Sequence, residues 1–210
     1  MFIALEGADC SGKDTLGSKL AEALKASLYR FPSHDRPFGK LCREHLAHGW
    51  ECKDNTFTDP MLDALVFQGL QMADRLDHLG RIQRDLVSDR AVVAVRWMES
   101  GIVYGTLDGL SQKFLIEAQE GLPSPDLYVL LDVDIEDVKR RMTAQGRTPD
   151  RYESQLPFIE QVIREYRARW SIMSRQRGDA SYVVIDASRP VDDVFKSLMD
   201  YTGSRTPFIR

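Results

Sequence analysis

Five short apolar runs, separated by stretches of helical periodicity, restrict this chain more than any other feature. They are FIALE (2–6), SLYRF (27–31), AVVAVRW (91–97), DLYVLLDV (126–133) and YVVIDA (182–187). The third is rich in β-branched residues, and it and the fourth are almost continuously apolar, as strands buried on both faces of a parallel sheet are. Between the runs, apolar residues recur at helical spacing. Leu16, Leu20, Ala23 and Leu24 do so within 13–26, and residues 38–48 also read as helix. A long pattern runs from about Pro60 to Leu86, with a break expected near Gly80, and IEDVKRRMTAQ (135–145) is amphipathic. Phe158, Val162, Ile163, Tyr166 and Trp170 share one face of a helix over 156–177, and a last helix follows Pro190. The alternation predicts an α/β fold: a five-stranded parallel sheet flanked by helices on both faces. With no repeat, low-complexity tract or linker, residues 1–210 are expected to form a single domain.

Apolar residues make up 43% of the chain, enough for a core, which sets it apart from disordered sequences. The net charge of -4 argues against a dedicated nucleic-acid binder, which would carry a basic surface. Cys10, Cys42 and Cys52 are sparse, odd in number and without zinc spacing. A Cys42–Cys52 pair is disfavoured and the reducing cytoplasm is expected. No apolar run approaches the ~20 residues of a membrane span. Phe2 to Leu5 reads as a strand and not as a signal peptide.

The stretch GADCSGKDT (7–15) joins the first strand to the first helix. Gly7, Gly12 and Lys13 fit the spacing G-x-x-x-x-G-K-[ST], but Asp14 stands where the hydroxyl belongs, followed by Thr15. Strand, glycine-rich turn and helix form the context in which this spacing binds phosphate. The glycines let backbone N–H groups converge on an anion. The helix adds its positive N-terminal end, and Lys13 would reach the β- and γ-phosphates of a nucleotide. The bland alternative, a glycine turn with a surface lysine, rarely falls between a first strand and a first helix. The loop points to nucleotide phosphates and leaves the second substrate open.

Further stretches bring in a resemblance. GADCSGKDT, RFP (30–32), ADR (73–75), VRWMESGIVYG (95–105), GLPSPDLYVLLDV (121–133), GRTPDRYE (146–153) and VIDAS (184–188) occur in this order over nearly the whole chain. Together they resemble the thymidylate kinase family, which moves the γ-phosphate of ATP onto dTMP. The resemblance implies a P-loop kinase fold with a short lid at about 145–155, Mg²⁺ as cofactor, nucleotides as partners and a homodimer. It implies that ATP lies over Gly7, Ser11, Gly12, Lys13, Asp14 and Thr15. Asp9 resembles the acid facing the acceptor's sugar 3'-hydroxyl and the magnesium region, although an Asp in a loop also caps backbone amides. Phe31 resembles an aromatic lining the acceptor site, or packs in the core. Arg75 resembles the arginine bonding the pyrimidine's edge, and Arg96, ending a buried strand, suits the acceptor phosphate. Ser100, Gly101 and Tyr104 match positions beside base and sugar. Tyr152 resembles the ring that crowds a ribose 2' hydroxyl, or packs at a helix start. With Ala8, Cys10 and Ser11 uncharged, the cation needed at the migrating phosphoryl group falls to the lid arginines, Arg147 ahead of Arg151.

The chain departs from the family pattern at three places. Asp14 replaces Ser or Thr, Val95 replaces the acid of an Asp-Arg-Tyr or Asp-Arg-His triplet, and Gln71 stands where an aromatic residue stacks on the base, with Phe67 one turn earlier. One change removes a carboxylate near the metal and another adds one, so Asp14 is expected to contact Mg²⁺ directly or through water, with Asp9 nearby. Gln71 opens the acceptor to a modified or different base. A catalytically degenerate ATP-binding regulator stays as the alternative.

Overall fold

The five apolar runs become five parallel strands in a computed structural model that describes residues 1–48, 59–145, 155–177 and 181–203. They are β1 (Phe2–Glu6), β2 (Ser27–Arg30), β3 (Val92–Val95), β4 (Leu127–Asp132) and β5 (Tyr182–Asp186), in the order β2-β3-β1-β4-β5. Every residue of β1 and β3 is buried, as expected of central strands covered on both faces. Among the described residues the helices are α1 (Lys13–Leu24), α2 (Pro37–His48), α3 (Pro60–Val87), α4 (Met98–Leu107), α5 (Gln112–Glu117), α6 (Ile135–Gln145), α7 (Leu156–Arg177) and α8 (Val191–Gly203). One set, α1 with α8, packs together, and a second set joins α3 to α4 and α4 to α7.

The register positions the site. Leu5 pairs with Val95, Val95 with Arg30, and Glu6 with Leu130, so β1, β2 and β3 end at one edge. The chain leaves β1 into α1, of the first helix set, and leaves β3 into α4, of the second. Loops therefore diverge between β1 and β3, where open α/β sheets hold ligands.

The structure revises the sequence expectation in two places. Helix α3 passes Gly80 unbroken. A glycine costs about 1 kcal/mol inside a helix, and the buried face that includes Phe67, Asp74, Arg75, His78 and Ile82 outweighs it. Helices α4 and α5 had no periodic signal. Glu99 to Gly105 are all buried, so α4 has no polar face to set against an apolar one. It is held partly by Glu99, which forms a buried ion pair with Arg169 of α7 and accepts a hydrogen bond from Tyr182 of β5 at 3.0 Å.

Candidate functional site

The loop between β1 and α1 has the backbone its glycines require. Gly7 has φ 142° and Gly12 φ 92°, and a Cβ on Gly7 would stand 2.6 Å from the Leu131 carbonyl oxygen. Cys10 also takes a left-handed conformation, at φ 60°. From α6, Arg141 braces the loop by donating to the Cys10 carbonyl at 3.0 Å and to the Ala187 carbonyl. Lys13 is folded onto the loop, its Nζ donating to the Ala8 carbonyl and, at 3.2 Å, to Ser11 Oγ. Burial, and next the charge of Arg96, lower the Lys13 pKa to about 8. Asp9, Asp14 and Glu6 act the other way without restoring the ordinary value, and a buried ammonium so disfavoured is a site for an anion.

The cavity in front of the loop is lined by Gly12, Lys13, Asp14 and Thr15 and by Arg30, Arg43 and Arg96. Val95 lines it too. The first two departures from the family pattern thus face one space. Asp14 is exposed and pairs with Arg30 Nε at 3.1 Å, while Arg30 also donates to Ser18 at 2.6 Å. Arg43 was missed by sequence reading, because an arginine in a helical pattern looks like a solvated one. Its guanidinium donates to the carbonyls of Pro32 and Ser33, which turns it into the cavity.

A second cavity lies beside the first, lined by Phe31, Pro32, Leu46 and Phe67 and by Gln71, Arg75, Ser100 and Tyr104. Asp9 and Arg96 line both cavities. Arg96 sits at φ 63°, a conformation that costs a non-glycine residue about 1–2 kcal/mol. It ion-pairs with Asp9, and the Tyr104 hydroxyl donates to Asp9 at 2.9 Å. Burial works against the Arg96 charge, but Asp9, Tyr104 and Tyr166 together more than offset it and hold the pKa well above the ordinary arginine value.

Glu6, also missed, explains how that turn is held. Its fully buried carboxylate accepts from the Trp97 N–H at 2.8 Å and from the Ser100 hydroxyl, which contacts Tyr166 at 2.8 Å. Burial raises the Glu6 pKa, with hydrogen bonds from Ser100 and Trp97 acting the other way. Ser100 lines the cavity with its hydroxyl already committed. Gly101 faces the Arg75 guanidinium, where a Cβ would lie 3.3 Å from both terminal nitrogens. Phe31 is both core and lining: it is 5% exposed and meets Trp97 and His78 at ring distances of 5.1 and 5.2 Å. Asp74 ties the following turn to α3, accepting from the Ser33 N–H and hydroxyl at 2.7 Å each. Phe67 lines the far end, 4.8 Å from the His45 ring.

Arg147, Arg151 and Tyr152, the lid between its ends at 145 and 155, and Cys52 lie outside the described residues. Cys42 is buried and is not in a disulfide. Among the described residues no three metal-ligating side chains form a cluster, and no helix is long and apolar enough to cross a membrane.

Comparison with known proteins adds a consistent result. The family model for thymidylate kinase matches residues 5–198. A probable thymidylate kinase of Methanococcus maripaludis is 32% identical, over 99% of this chain and 98% of the relative. One of Pyrobaculum aerophilum is 35% identical, over 92% and 91%. A solved thymidylate kinase from Candida albicans, described as having broad substrate specificity, superposes with a TM-score of 0.76 at 26% identity, covering 97% of this chain and 91% of that one.

Proposed function

The chain belongs to the thymidylate kinase family, and from that premise we propose that it transfers the γ-phosphate of ATP to the phosphate of dTMP, giving dTDP. The observation that carries this reading is the common wall of the two cavities. Asp9 and Arg96 line both, so a nucleotide on the loop and a monophosphate in the second cavity meet there end to end.

In this reading ATP lies over Gly7, Ser11, Gly12, Lys13, Asp14 and Thr15. Lys13 exchanges its contacts with Ala8 and Ser11 for phosphate oxygens. Arg96 turns part of its fork from Asp9 to the acceptor phosphate, a bidentate match. Asp9 then faces the sugar, with Tyr104 orienting it. The base lies toward Arg75, between Phe31 and Phe67. Lid closure brings Arg147 and Arg151 over the phosphates, Tyr152 over the sugar, and excludes water as a competing nucleophile. No covalent enzyme intermediate is needed; the residues position and neutralise.

Magnesium is supported by the donor set. Mg²⁺ takes one or two carboxylates with substrate phosphates and water, and exposed Asp14 stands at the lysine end of the loop with Asp9 across the cavity. When bound there it neutralises developing charge between the phosphates.

Residues 1–210 act as one domain in the cytoplasm, on free nucleotides and without nucleic acid. The protein works as a homodimer. Helices α3 and α5 leave Leu62, Leu65, Leu76, Phe114 and Ile116 between 37% and 49% exposed, apolar area that a second copy would cover.

The test is ADP release measured across dTMP, dUMP, dCMP, dGMP and dAMP. Turnover greatest on dTMP supports the reading. Turnover confined to another monophosphate keeps the kinase and replaces the acceptor. ATP binding with no turnover on any acceptor favours a regulator.

A further inference from the structure

Most polar groups lining the second cavity are already engaged. Ser100 donates to Glu6, Tyr104 donates to Asp9, and Asp9 pairs with Arg96. Arg75, 2% exposed, donates through Nη2 to the Trp97 carbonyl at 2.8 Å and to Gln71 Oε1 at 3.3 Å. Gln71 lies one turn before Arg75 on α3, half-buried, at the same end of the cavity as Phe67.

The chemistry of that pair sets the amide's orientation. A guanidinium has only donors, so the Gln71 atom facing it must be the carbonyl oxygen. The NH₂ group is turned away from Arg75, and among the described residues it has no acceptor. The Trp97 carbonyl fixes Arg75, and Arg75 fixes Gln71. Gln71 and Arg75 line the cavity together with the apolar Phe31, Pro32, Leu46 and Phe67.

Building on the kinase reading, we propose that Gln71 determines which base is accepted. Its oriented NH₂ donates to a ring carbonyl, so the site takes a 4-oxopyrimidine deoxynucleotide and refuses a 4-aminopyrimidine. A ring amino group would meet the Gln71 donor and leave its hydrogens unpaired. Sites built on hydrogen bonds discriminate strongly for that reason. The residue that replaces a stacking aromatic thereby exchanges stacking for edge reading, while Phe67 keeps an aromatic wall one turn away.

The experiment compares kcat/KM for dTMP and dCMP in the native protein and in Gln71→Glu and Gln71→Met. A carboxylate at position 71 still accepts from Arg75 but has no hydrogen to give and can accept from a ring amino group. Gln71→Glu should lower the dTMP-to-dCMP ratio at least tenfold, with dCMP activity rising. Gln71→Met, of similar length and without a donor, should lower the ratio at least fivefold through dTMP alone. KM for ATP and the melting temperature report on the integrity of both variants. A ratio within twofold of native in whichever variant folds overturns the assignment of Gln71 and leaves the kinase reading standing. A native protein that phosphorylates neither nucleotide overturns the assignment of Gln71 and dTMP as the acceptor, and one that turns over no monophosphate at all overturns the kinase reading as well.

Discussion

Lys13 is the residue whose charge the fold alters most consequentially. Burial, then Arg96, bring its pKa from 10.5 down to about 8. Between those values the unfolded chain holds a proton that the free folded protein has released. This group's contribution to stability therefore rises with pH across the window, the reverse of a paired lysine. A bound triphosphate restores the proton. Binding of ATP at pH 8.5 should be accompanied by proton uptake, and affinity should fall as pH climbs above about 8. Calorimetry in buffers of different ionisation enthalpy measures the uptake. It should vanish at pH 6.5 and in Lys13→Met, and no uptake at pH 8.5 in the native protein would refute the linkage. Asp14 is the other residue with a legible charge role. Asp14→Ala should raise the Mg²⁺ concentration for half-maximal turnover several-fold, whereas Arg30→Ala, which removes only its partner, should change it much less. Equal magnesium curves for native protein and Asp14→Ala would remove the metal role.

Helix α1 can deliver Lys13 to the loop because it lies close on the sheet. Gly17 permits that approach: a Cβ there would stand 2.6 Å from Val95 Cγ2 and 3.6 Å from Leu5 and Leu28. Val95 is 3% exposed, so its methyl group has little room to move. Gly17→Ala should therefore destabilise by about 1–3 kcal/mol through overpacking, less the ~1 kcal/mol gained from helix propensity. Adding Val95→Ala should recover part of that loss, seen as coupling of more than about 0.5 kcal/mol in a denaturation cycle. Strictly additive effects would show that α1 shifts freely. The result matters for the site, because Val95 also lines the phosphate-loop cavity.

The apolar side chains left on α3 and α5 concern the assembled protein. Light scattering should give twice the chain's mass for the native protein. Leu76→Glu, which places a charge on a side chain 49% exposed, should give a single-chain mass with a melting transition intact. A native monomer at micromolar concentration would end the dimer proposal.

Much of this protein is determined locally, and that part can be read from the chain. Short β-branched runs, helical periodicity and a glycine-rich turn at the first strand each depend on near neighbours, so the five strands and the phosphate loop are legible without a structure. Lys13 could be named for the same reason, from the spacing of its loop, whereas Asp9, Arg75 and Arg96 are named through the resemblance to the thymidylate kinase family. Helix α4 could not be read, because burial on every side erases the amphipathic signal. Nor could Arg43 be distinguished from a solvated cation, Glu6 from an ordinary strand residue, or the amide of Gln71 given a direction. Those properties depend on groups far away in sequence: the carbonyl of Trp97 beside Arg75, the hydroxyl of Ser100 above Glu6, and the turn after Phe31 beneath Arg43. Hydrogen-bond direction and burial are properties of what surrounds a side chain, and only the tertiary structure brings those surroundings together.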